Sequence, residues 1–257
     1  MEVHAHSSPA PGGAHTTRKK WTHYLWEFLM LFLAVFCGFL AENQREHMVE
    51  HQREKIYMAS LLEDLVNDTS DLSGDIDIWK KMISKADKLR NELIQQVETR
   101  DNKLIYRLSS DLHYENTFAY HDRTIGQLKY AGNFRLIRKK SIADSLVEYD
   151  AAIQTALKNI EDLYRNIIRP ELLGLRDQLL NARFYEICNN PILFDSAIKK
   201  EPAVILLKKG KEDIAFQYYN RLYNSERLNR YRVIWQKKLL RSAVNLIKMI
   251  KKEYHQE

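Results

Sequence analysis

The sequence predicts an all-α protein, with one N-terminal transmembrane helix followed by a long-helix, coiled-coil-like bundle. Three observations carry this. Residues Trp21 to Ala41 form an apolar run between Arg18-Lys19-Lys20 and Glu42. Beyond it, apolar residues recur at helical spacing for most of the chain. The 257 residues include only 8 Gly and 5 Pro, too few for the turns that a sheet protein needs.

The apolar run is predicted to span a bilayer. Its uncharged core, Phe28 to Ala41, is short for a span. Extending it to Trp21 includes Glu27 and gives a helix about 31 Å long, close to the roughly 30 Å hydrocarbon thickness. Glu27 then falls near one end, where a charge costs less than at mid-bilayer. Trp21, Tyr24 and Trp26 suit an interfacial belt, with Phe28 to Leu40 in the hydrocarbon. A cleaved signal peptide is the first alternative, but no A-x-A site follows the apolar core and Phe36 is too large before Cys37 for a lipoprotein site. A buried core helix is the second.

Residues 1–20 read as a disordered tail, 21–41 as the span and 42–257 as a helical extracytoplasmic domain. Ser7 to Gly13 lacks the apolar content for a core, and His4, His6 and His15 belong to a solvated tail. Acidic residues count little in the positive-inside rule, so the cluster nearest the span, Arg18-Lys19-Lys20, rather than Arg45, Arg53 and Lys55 beyond it, places the N-terminus in the cytoplasm. The expected location is a bacterial inner membrane, single-pass, with the domain in the periplasm. Cys37 and Cys188, split between span and domain, cannot form a disulfide.

Glu42 to Glu98 is predicted as one long helix. Met58, Leu65, Leu72, Trp79, Ala86 and Leu93 are spaced by seven. A second series runs through Leu62, Thr69, Ile76, Ile83, Arg90 and Val97, with Thr69 and Arg90 as flaws. This seam serves either as the core of a monomeric bundle or as a self-association surface. One or two helices are expected in Asp101–Lys129, with a break at Ala131-Gly132-Asn133. Ser141-Ile142-Ala143-Asp144 resembles a capping box. Leu146, Tyr149, Ile153, Leu157, Ile160, Tyr164 and Ile167 then keep helical spacing up to Pro170, which predicts a kink or a new helix at Glu171. Asn189–Gly210 is irregular, with Ala203 to Leu207 as a short strand or buried helical turn. Asp213 to about Glu253 forms the last helix, with an apolar stripe of Ile214, Tyr218, Leu222, Tyr231, Ile234, Leu239, Leu246 and Ile250. No solenoid repeat is present.

Charge is uneven. Glu63, Asp64, Asp68, Asp71, Asp75 and Asp77 crowd the first long helix, whereas the last is basic. Complementary packing of the two helices is the simplest account. An anionic-lipid or nucleic-acid surface is the sharper one. A formal charge of +6 does not by itself imply nucleic acid, which is not an expected partner. The last helix's aromatics are expected in the core.

His47-Met48-Val49-Glu50-His51 matches H-x-x-E-H, the inverted zinc-peptidase pattern. His47 and His51 share a helix face suited to Zn²⁺, with Glu50 beside them. A solvated juxtamembrane helix explains the same residues, because a catalytic site also needs a third ligand and a dry pocket. His113, His121, Asp111 and Asp122 lack diagnostic spacing. No G-x-S-x-G, P-loop, G-x-G-x-x-G or C-x-x-C occurs, so no catalytic residue, cofactor or small-molecule ligand is assigned.

Ala34 to Asn43, then Arg45-Glu46-His47, Glu50, Arg53-Glu54-Lys55, Tyr57, Ser60-Leu61 and Glu63-Asp64-Leu65, resembles an uncharacterised family of bacterial single-span membrane proteins. Thr124 to Gly132 is similar to a later pattern of that family. The resemblance covers about two-fifths of the chain, implies an anchor and a helical ectodomain, and carries no activity. The histidine-bearing tail and the basic last helix lie outside it. The expected role is interaction: a scaffold, sensor-like module or envelope accessory protein bound to the bilayer, self-associating or holding a protein partner. The alternatives are a tethered zinc enzyme using His47, Glu50 and His51, and a cytoplasm-facing domain binding lipid or nucleic acid through its last helix.

Overall fold

The computed structural model describes residues 18–96, 99–112, 116–181 and 210–255, with isolated positions between 187 and 200. They are mainly helical, and no strand forms among them, as an all-α class requires. The run at 203–207, Val97, Cys188 and the tail histidines lie outside the described residues. Two compact units divide the chain, Met1–Arg53 and Glu54–Glu257.

The helix α1 covers Arg18–Leu93. In the first unit it carries the apolar run, long and apolar enough by length and composition to cross a membrane. None of its most apolar stretch is buried by the rest of the described chain, so among the described residues the run is not a core helix. Phe28, Phe32 and Phe36 stack along one side at i,i+4 spacing, with ring centroids 6.4 and 5.8 Å apart. Arg18 to Lys20, expected in the tail, already belong to the helix.

The second unit starts at Glu54 rather than Glu42, because Glu54 is the first side chain with a buried place in this unit's interior. It consists of the rest of α1, then α2 (Asn102–Asp111), α3 (Arg123–Tyr130) and a 3-10 turn at Asn133–Leu136. A rod follows: α4 (Lys140–Ala152), α5 (Lys158–Leu163) and α6 (Arg169–Leu179), joined without a break by π turns at Ile153–Leu157 and Tyr164–Ile168. The last helix, α7, is Glu212–Tyr254.

Core partners give the directions. Met58 to Leu72 share one hydrophobic cluster with Ile142 to Leu157 and with Leu239 to Ile250. Ile76 to Leu93 share another with Tyr164 to Leu180 and with Tyr218 to Val233. So α1 and the rod run parallel, and α7 runs antiparallel to both. The helix α2 packs into the second cluster, while α3 packs into the first. The chain must therefore travel back along α1 between α2 and the rod, through a segment at Asn116–Asp122 without regular secondary structure.

Local chemistry explains the ends. Asp101 caps α2, its carboxylate accepting from the Leu104 N–H at 3.0 Å. Gly132, at φ +64°, takes the left-handed turn that ends the α3 region. The capping box expected at Ser141 is not used: α4 begins at Lys140, so Ser141 is already inside the helix, and the N-cap residue Lys139 makes no side-chain cap. Pro170 lies in the first turn of α6, close to the new helix expected at Glu171, and a π turn joins α6 to α5 without a break. The π turn before it sends the Arg169 N–H to the Tyr164 carbonyl, five residues back, which accommodates a residue with no N–H and a bulky ring. The same wide turn rotates the following face, so Ile168 is buried at 7% exposure and the predicted Ile167 is exposed at 49%.

Candidate functional site

The described structure concentrates its unusual chemistry in the second unit, where α1 carboxylates reach across to the returning chain. The Glu54 carboxylate accepts from the Arg138 N–H at 2.7 Å and from the Tyr254 hydroxyl at 2.6 Å. Asp64 accepts from the Thr124 N–H at 3.0 Å. This bond caps α3 from another helix, since Asp122 at its N-cap provides no side-chain bond. Asp68 accepts from the His121 N–H at 3.0 Å and from the Tyr149 hydroxyl at 2.8 Å, and the His121 Nδ1 lies 3.0 Å away. Asp75 binds the Asn116 amide and accepts from Gln236 at 3.4 Å. Glu161 of α5 accepts from the Phe118 N–H at 2.9 Å. As residue numbers rise along the returning segment they fall along α1, so the acidic run is an antiparallel ladder of acceptors. A segment outside helix and sheet needs such acceptors, because a buried N–H left unpaired is costly.

Between the two hydrophobic clusters lies a buried polar centre. Arg232 of α7, 1% exposed, has its guanidinium carbon 3.9 Å from the Trp79 ring centroid and 5.1 Å from that of Tyr164. Its charge favours the ionised forms of both Asp75 and Glu161. Further along α7, Arg90 of α1 pairs with Glu226 at 2.8 Å and lies over Tyr219 and Tyr223.

Burial dominates the electrostatics. It pushes the Asp68 carboxyl above its ordinary value, against the opposing hydrogen bonds from His121 and Tyr149. Burial also raises Asp75, opposed by Asn116 and Arg232 and reinforced by Asp71. Glu161 is raised for the same reason, opposed by the Phe118 N–H and Arg232. A raised carboxyl means that the folded state holds its proton to higher pH than the unfolded chain does. The stability it contributes is complete below the ordinary carboxylate range and declines as pH rises through the raised values. Wild type is thus expected to lose more stability than Asp75→Asn as pH rises above the ordinary carboxylate range. Urea midpoints of the detergent-solubilised chain measure this, and equal slopes for the two proteins would exclude it.

The sequence-predicted residues are placed as follows. Met58, Leu65, Leu72, Trp79, Ile76, Ile83 and Leu93 all lie in the cores of the second unit. These seam residues are therefore packed from within the chain. His47 is exposed; Glu50 and His51 are half-buried on the same helix. Among the described residues no group of three or more His, Cys, Asp or Glu is arranged to hold a metal. Trp21, Tyr24, Trp26, Phe28 and Leu40 are exposed. On α7, Tyr218, Leu222, Leu239, Leu246 and Ile250 are buried as predicted, but Tyr231 and Ile234 are 50% and 61% exposed. The middle of the buried face consists instead of Ser225, Glu226, Asn229, Arg232, Val233 and Gln236. The α1 acids turn mainly to the returning segment; towards α7, Arg232 favours the ionised form of Asp75, and Arg90 pairs with Glu226 in the opposite sense. Sequence reasoning missed Arg232 and His121 as partners of buried acids. For Arg232 a signal existed, since its spacing of ten from Leu222 and seven from Leu239 keeps it on the buried face.

No protein-family description, curated protein or solved structure matches the chain.

Proposed function

We propose that this is a membrane-anchored interaction protein that displays a helical bundle from a single N-terminal span. The observation that carries the reading is the exposed apolar helical run Trp21–Ala41, followed by a second unit with its own hydrophobic cores. The resemblance to single-span membrane proteins supports the same arrangement. The positive cluster Arg18-Lys19-Lys20 favours a cytoplasmic N-terminus in a bacterial inner membrane, with the bundle in the periplasm. Its role is that of a scaffold or sensor-like envelope module without catalysis. A protein partner or a second copy would engage an exposed face, since the buried seam residues are packed from within the chain.

C-terminal fusions test the topology. Alkaline phosphatase fused after Glu257 is expected to be active, and a fluorescent-protein fusion dark. A bright, phosphatase-inactive pair would place the bundle in the cytoplasm and favour the second reading, in which α7 meets lipid or nucleic acid there. Recovery of the chain from carbonate-washed membranes only as soluble protein would defeat the anchor itself. The second reading is favoured by one observation: Tyr223, Tyr231 and Ile234 lie on the exposed face of the basic helix, not in the core.

A further inference from the structure

From Arg227 to Lys252 the chain carries nine cations and no acid, against a formal charge of +6 for all 257 residues. Arg232 is buried; the other eight are exposed. Of those eight, Arg230 alone is paired with a carboxylate among the described residues, through Glu226 at 2.6 Å. A solvated helix face of this length ordinarily mixes signs, so an unbroken cationic face is a docking signal.

The face is also ordered. Tyr223, Arg227, Arg230, Ile234, Lys237 and Arg241 follow one another at spacings of four and three, which keeps them on one side of an α-helix. Tyr231 and Trp235 flank this stripe as a perpendicular ring pair, with centroids 6.3 Å apart. The Lys238 ammonium sits 4.5 Å from the Trp235 ring centroid, which holds it at the surface beside the stripe. The opposite side of α7 is buried in the bundle, so the helix presents this face rigidly.

We propose that the outward face of α7 docks lengthwise on an anionic lipid surface. The charge requires an anionic partner, and the apolar residues choose among anions. Tyr and Trp suit the headgroup level of a bilayer, and Ile234 at the centre of the stripe gains only where acyl chains lie beneath the headgroups. Single-stranded nucleic acid needs a groove with aromatic walls, whereas this is a convex helix side. The choice of lipid rests on the anchored reading above, since a chain held in a bilayer meets lipid at high effective concentration.

The test uses the full chain inserted in nanodiscs of phosphatidylcholine, mixed with separate vesicles and recovered by flotation. Vesicles containing phosphatidylglycerol are expected to co-float with the protein, those of phosphatidylcholine alone are not, and raised salt releases the former. Lys237→Glu/Lys238→Glu/Arg241→Glu is expected to weaken capture at least about tenfold, since each cation near an anionic surface contributes several-fold. These residues are exposed, so helicity by circular dichroism is retained. Ile234→Ser lowers capture without changing its salt dependence. Equal capture of neutral vesicles, undiminished capture by the triple variant, or binding of a single-stranded oligonucleotide with no capture of anionic vesicles would overturn the proposal. A chain that fails to enter nanodiscs defeats the anchored reading instead, and the same vesicles then test the face directly on the detergent-free chain.

Discussion

Arg232→Ala is expected to destabilise the bundle by about 3–5 kcal/mol, the cost typical of emptying a large buried site and leaving nearby buried acids without their cation. The guanidinium fills the space between Trp79 and Tyr164 and lies close enough to Asp75 and Glu161 to favour their charged forms. Alanine removes the stacking, opens a cavity and leaves two buried carboxyls without that cation. Arg232→Met is expected to lose less, because its stem refills most of the volume while omitting the charge. Both losses shrink as pH is lowered, since Asp75 and Glu161 then protonate and no longer need the cation. Urea unfolding of the detergent-solubilised chain, at two pH values, measures all of this. An alanine variant within about 1 kcal/mol of wild type would show that the centre is not held by this residue.

That residue also marks where the sequence became hard to read. Along α1 the apolar side chains at seven-residue spacing, Met58 through Leu93, all turned out buried, because period and chemistry agree there. Along α7 they disagree. The buried face passes through Ser225, Asn229, Arg232 and Gln236, and a search for apolar residues slides to Tyr231 and Ile234, which face outward. Periodicity followed without regard to residue type would have stayed on the correct side. Ile167 failed for a different reason: a π turn adds a residue to the repeat, and nothing local announces it apart from Pro170 nearby. The acidic run of α1 was visible as composition. Its purpose was not, because the N–H groups it serves belong to residues 53 to 84 positions later in the chain, and only the tertiary register brings them together.

Asp68 is where that register can be tested most directly. It is 1% exposed and joins three parts of the chain: α1, the returning segment through the His121 N–H and ring, and α4 through the Tyr149 hydroxyl. Asp68→Ala strands a buried hydroxyl and a backbone N–H and is expected to cost about 2–5 kcal/mol. Asp68→Asn keeps the shape and one acceptor oxygen for the His121 N–H, and its amide can donate to the Tyr149 oxygen, so about 1 kcal/mol is expected. Tyr149→Phe removes one donor and leaves the His121 bonds, again about 1 kcal/mol. The ladder predicts more than a ranking, because the returning segment has no strand partner to fall back on. In Asp68→Ala the amides of His121 and Thr124 should lose hydrogen-exchange protection to a greater degree than amides in the Ile83–Leu89 turn of α1, which opens only with the whole bundle. Uniform loss of protection across both regions would mean that Asp68 supports global stability without clasping the segment. Unchanged protection at His121 would mean that the carboxylate is not the acceptor on which that amide depends.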